Sequence, residues 1–138
     1  MRPETILAVD DNPDELFLIQ RVLHKSELEI NLITANCGAE ALQKLSFPEK
    51  YTDRPALVLL DMKMLGMNGL ETLRQIRLEP EFQFLPVVIL TSSNLSTDIE
   101  ESYKAGASGF VQKSPDYKTF SNELASIVNY WVRINKVP

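Results

Sequence analysis

Residues 56–61 read Ala56-Leu57-Val58-Leu59-Leu60-Asp61, five apolar residues closed by one carboxylate. A strand with one face in water alternates apolar and polar positions. A run of strand length with no alternation suits a strand covered on both faces, and such strands belong to parallel sheets. The runs Thr5–Val9 and Val87–Leu90 share this character. Shorter or less continuous ones lie at Asn31–Ala35 and Gly109–Val111.

Helical signals fill the intervals. Pro13 stands near the start of Asp14–Lys25, where Leu16, Ile19 and Leu23 share a face. Ala39–Leu45 follows Gly38, and Leu70, Leu73 and Ile76 mark a helix from Gly69 to about Arg77. Ser96 or Thr97 caps a fourth helix that runs through Ala105 and stops at Gly106. Asp116 caps a fifth, in which Phe120, Leu124, Ile127 and Trp131 recur at spacings of four, three and four. Five strands alternating with five helices predict an α/β fold, a doubly wound five-stranded parallel sheet with helices on both faces. The flavodoxin-like strand order 2-1-3-4-5 is one common solution, and in it a site forms at the carboxyl ends of the strands.

The residues at those ends are chemically coherent. Asp10 and Asp11 follow the first strand, Asp61 the third, Thr91 the fourth and Lys113 the fifth. Three carboxylates on one sheet edge repel one another, and a hard cation such as Mg²⁺ relieves that repulsion through oxygen ligands. A carboxylate can attack phosphorus to give an aspartyl phosphate. Lys113 and Thr91 then supply a charge and a hydroxyl for the phosphoryl oxygens. Taken singly, an acidic pair is often a helix cap, a strand-end Thr structural and a lone Lys solvated. Their joint placement favours function.

The bulk properties set limits. The chain has 138 residues, which reads as one domain, 1–138, with no separate output domain. Its net charge of -5 argues against a nucleic-acid partner. No apolar run reaches membrane-spanning length. A single cysteine, Cys37, makes no internal disulfide and fits a reducing cytoplasm. Neither Cys37 nor His24 receives a role. No glycine-rich phosphate loop is present, which excludes the common nucleotide-binding motifs. An aspartate-nucleophile phosphatase needs a second acid two residues after the nucleophile, and Lys63 stands there.

The set Asp10-Asp11, Asp61, Thr91 and Lys113 resembles the receiver domain of two-component response regulators. The segments Ile6–Asn12, Leu59–Met64 with Gly69, and Lys104-Ala105-Gly106-Ala107 extend the likeness from about Glu4 to Trp131. The resemblance implies that Asp61 takes a phosphoryl group from a histidine kinase or a histidine phosphotransfer protein. It implies that Asp11, Asp61 and the Lys63 backbone carbonyl bind Mg²⁺ (or Mn²⁺) directly, with Asp10 assisting through water. Thr91 and Phe110 become the switch pair, although Phe110 also reads as a strand residue of the core. Lys63 and Ser93 overlook the site and tune phosphoryl lifetime.

Two family prolines are missing. Leu65 replaces one, with Gly66 beside it to supply backbone freedom. Ser114 replaces the other, so the isomer of the Lys113–Ser114 bond stays open. The first helix is apolar on two sides, either for packing or for a phosphodonor. Tyr130 and Trp131 cap the core or meet a second subunit, and a homodimer is expected through the fourth and fifth helix region. The C-terminal Trp and the Ser46–Pro55 excursion look like regulators paired with phytochrome-type kinases.

Overall fold

The computed structural model describes residues 4–50 and 53–138. The strands are β1 (Glu4–Val9), β2 (Ile30–Ala35), β3 (Leu57–Leu60), β4 (Val87–Thr91) and β5 (Gly109–Gln112). The helices are α1 (Pro13–Lys25), α2 (Gly38–Ser46), α3 (Gly69–Leu78), α4 (Ser96–Lys104) and α5 (Tyr117–Val128). All strand pairs are parallel, and the order is β2-β1-β3-β4-β5, as expected. Part of the Ser46–Pro55 excursion lies outside the described residues.

The alternation of side chains across the sheet divides the core in two. Leu7, Val9, Val58, Leu60, Val87 and Ile89 pack with residues of α2 and α3 on one face. Ile6, Ala8, Leu57, Leu59, Val88 and Leu90 pack with α1 and α5 on the other. Apolar side chains on both faces of β1, β3 and β4 are buried, which is why their sequences do not alternate.

Helix ends follow local chemistry. The Asn12 side chain accepts from the Asp14 N–H at 2.9 Å, with Pro13 in the first turn of α1. Asp116 caps α5 by accepting from the Thr119 N–H at 2.9 Å. Cys37 has a role that the sequence did not reveal: its Sγ accepts from the Glu40 N–H at 3.4 Å and caps α2. At α4 the expectation is corrected. Leu95 holds the cap position without a side-chain bond, and neither Ser96 nor Thr97 does. Ser93 serves this helix start instead, accepting from the Leu95 N–H at 3.3 Å and hydrogen-bonding the Asp98 carboxylate. Gly106 ends the helix at φ 107°, a region that favours glycine.

The last helix does not continue as regular α-helix to Ile134. It widens into a π-helical turn over Asn129–Ile134, closed by the Asn135 N–H on the Tyr130 carbonyl at 2.6 Å. Trp131 is half-buried against the α1/α5 side of the core, while Tyr130 is exposed. The two rings meet edge-on at 5.1 Å. Phe120, Leu124 and Val128 carry the buried stripe of α5, with Ile127 at its margin. On α1, Ile19, Val22 and Leu23 are buried, Leu16 and Leu18 partly so, and Phe17 faces solvent. His24 is also exposed.

Candidate functional site

The register of the sheet builds the site. Val9 pairs with Leu60, so Asp10 and Asp61 leave adjacent parallel strands at the same level. The Asp61 N–H donates to the Val9 carbonyl at 2.9 Å, and the Asp10 N–H to the Ala35 carbonyl at 3.1 Å. Thr91 pairs with Gln112, and the Lys113 N–H donates back to the Thr91 carbonyl at 2.6 Å. Carboxylate oxygens of Asp10, Asp11 and Asp61 lie within 4.8 Å of one another.

Each group is held. The Asn12 N–H donates to Asp10 Oδ1 at 2.9 Å, and Lys113 Nζ to Asp10 Oδ2 at 3.0 Å. The same ammonium is 3.8 Å from Asp61 Oδ1. Asp11 Oδ2 accepts from the Leu65 N–H at 3.0 Å. Thr91 is buried, and its Oγ1 accepts from the Ser93 N–H at 3.3 Å. The Ser93 hydroxyl is committed to the first turn of α4 and does not stand free over the site. The Lys63 side chain is exposed at the rim. Phe110 is half-buried on the α2/α3 side of the core.

The departures from the family pattern resolve locally. Leu65 is exposed and Gly66 takes φ 75°, so glycine does supply the turn. No described peptide bond is cis, and Lys113–Ser114 is therefore trans.

Electrostatics show what the cluster lacks. Burial pushes the Asp61 carboxyl up to about 6; Lys113 opposes that, Asp10 adds to it, the Met62 N–H opposes it and Asp11 adds again. Burial alone would lower the Lys113 ammonium. The hydrogen bond and charge of Asp10, with the charges of Asp61 and Glu15, offset that and hold it above its ordinary value. One ammonium thus serves several carboxylates. A small divalent cation fits the oxygen donor set and the unmet negative charge, as Mg²⁺ and Mn²⁺ do elsewhere.

Sequence reasoning missed Glu15. Its Oε2 lies 3.6 Å from Lys113 Nζ. The signal was its place in the first turn of α1, four residues after Asp11, where a side chain can fold back over the sheet edge.

Known proteins share this chain's sequence pattern and fold. The model of the response regulator receiver domain matches residues 6–125. The chain belongs to that family, whose members accept phosphoryl groups from histidine kinases in two-component signalling. The response regulator Rcp1 of Synechocystis sp. is 30% identical over 138 residues, covering 99% of this chain and 94% of its own. The crystal structure of the phosphorylated cyanobacterial phytochrome response regulator RcpA superposes with a TM-score of 0.89 at 29% identity, covering 99% of each chain. The Mn²⁺-bound form of Rcp1 gives 0.86 at 30% identity, again over 99% of each. Among the described residues no helix is long and apolar enough to cross a membrane.

Proposed function

We propose that Asp61 is the phosphoacceptor of this response regulator and that Asp10, Asp11, Asp61 and the Lys63 carbonyl hold Mg²⁺ or Mn²⁺. One observation carries the reading: Asp61 shares its strand end with two further carboxylates within 4.8 Å, and Lys113 Nζ stands 3.8 Å away. When bound, the cation neutralises charge on the phosphoryl oxygens and on the acceptor. An Asp61 oxygen forms the new bond to phosphorus as the donor's P–N bond, in a phosphohistidine, breaks. Lys113 neutralises a second phosphoryl oxygen, and the Thr91 hydroxyl donates to a third. Thr91 then leaves its Ser93 partner, and Phe110 follows it inward.

The donor is a histidine kinase or a histidine phosphotransfer protein. The likeness to RcpA and Rcp1 favours a phytochrome-type kinase. Exposed Phe17 on α1, close to the site, suits its docking helices. The chain works in the cytoplasm, transfers no group to a separate substrate, contacts no nucleic acid, and signals through a phosphorylation-dependent change of the receiver surface. It also speeds loss of its own phosphoryl group, with Lys63 obstructing the attacking water. A second copy binds across α4, β5 and α5. Sedimentation with and without a phosphoryl analogue tests that interface; a monomer in both states removes it.

Incubation with acetyl phosphate and Mg²⁺, read by intact mass, tests the central assignment. Wild type gains one phosphoryl group and Asp61→Asn gains none. A gain in both, or in neither, overturns the assignment.

A further inference from the structure

Lys113 is the one basic side chain among the described residues that ion-pairs with this cluster, and it is contested. Its Nζ is 3.0 Å from Asp10 Oδ2, 3.6 Å from Glu15 Oε2 and 3.8 Å from Asp61 Oδ1. Asp10 and Asp61 belong to the acidic cluster, but Glu15 lies outside it. Glu15 reaches the ammonium from α1, where its N–H is fixed on the Asn12 carbonyl at 3.1 Å. Its side chain is one-third exposed, whereas that of Lys113 is mostly covered. Glu15 thus touches both solvent and the cation that an incoming phosphoryl group needs.

We propose that Glu15 is a positioning residue that withholds Lys113 from the incoming phosphoryl group and so limits how readily the site loads. The inference rests on the roles given above to Asp61 and Lys113. Loading requires the ammonium to turn from carboxylates to a phosphoryl oxygen. Every phosphodonor is anionic at the transferred group, so a carboxylate beside Lys113 both competes for the cation and repels the donor. The pair is partly open to water, which keeps the effect modest.

The test is the second-order rate of phosphoryl uptake from acetyl phosphate at saturating Mg²⁺, read by intact mass. Glu15→Gln keeps the shape and removes the charge; uptake should rise about two- to fivefold, as for an exposed ion pair. Glu15→Asp keeps the charge and should stay near wild type. Asp14→Asn removes a neighbouring charge with no contact to Lys113 and should give a smaller change. Unchanged or slower uptake in Glu15→Gln overturns the proposal, and so does an equal gain in Asp14→Asn. If wild type takes up no phosphoryl group, the assignment of Asp61 falls and this proposal with it. Uptake in wild type without acceleration in Glu15→Gln overturns this proposal alone.

Discussion

The backbone N–H of Leu65 donates to Asp11 Oδ2 at 3.0 Å, a bond that the proline expected at this position could not make. The departure from the family pattern thus adds a donor to a candidate metal ligand. Leu65 is 86% exposed, so its backbone does the work. Leu65→Ala should change stability by less than about 0.5 kcal/mol. Leu65→Pro should cost about 1 kcal/mol in the absence of metal, the ordinary value of one hydrogen bond near water. Urea unfolding of both variants with and without Mg²⁺ checks this. Equal midpoints for the two variants would show that the bond contributes nothing.

The Asp61 carboxyl, pushed up to about 6, makes metal binding sensitive to pH. The native carboxyl keeps its proton more readily than the unfolded chain, whose value is near 3.8. Between those values the native state binds more protons, so this group's contribution to stability is present at low pH and is lost as pH rises through 6. The cation requires the carboxylate, so its affinity moves the other way. Mg²⁺ should bind about tenfold more weakly at pH 5 than at pH 7 through this one group. Calorimetric titration at the two pH values measures it, and Asp61→Asn should flatten the difference.

Much of this site was legible because strand ends are legible. Unbroken apolar runs fixed where β1, β3 and β4 stop, and a parallel sheet places those stops on one edge. Asp10, Asp11, Asp61 and Thr91 followed without knowledge of side-chain direction, and Lys113 followed from the weaker run before it. Glu15 did not, because a helix-start acid is ordinarily a dipole partner, and only the fold-back of α1 brings it to Lys113. The capping of α4 failed for a related reason. Ser96 and Thr97 are good caps by type, but the turn places Ser93 where its hydroxyl meets both Leu95 and Asp98. Cys37 escaped notice because sulfur is a poor acceptor and an uncommon cap.

Gly69 sets the distance between α3 and the strand end that carries Asp61. A Cβ there would collide with the Asp61 carbonyl oxygen and stand 2.8 Å from Met62 Cα. Both are backbone atoms, so relief requires moving α3 or the strand end. Gly69→Ala should cost about 1–3 kcal/mol, as overpacking does. It should also slow phosphoryl uptake several-fold, since the displaced atoms belong to the proposed acceptor. Urea midpoints and acetyl phosphate uptake on the same preparation test both effects. Full stability with full uptake would show that α3 can shift freely.

Arg77 holds the opposite end of α3, with no carboxylate partner among the described residues. Its Nε donates to the Gly106 carbonyl at 2.9 Å, and Nη1 to the carbonyls of Phe82 and Leu85 at 2.7 and 2.8 Å. Nη2 reaches Ser108 Oγ at 3.4 Å. One guanidinium thus ties the turn that follows α3 to the loop between α4 and β5. Burial lowers its pKa, yet a guanidinium keeps its charge near neutral pH. Arg77→Ala would leave these carbonyls short of a donor and should cost about 3 kcal/mol. Arg77→Lys should recover little, because an ammonium cannot span the same fork of acceptors. The residue lies away from Asp61, so each folded molecule should still take up phosphoryl groups at the wild-type rate. Urea unfolding gives the cost, and uptake measured well below the midpoint gives the rate. A lysine variant as stable as wild type would show that charge, and not the planar fork, holds this corner.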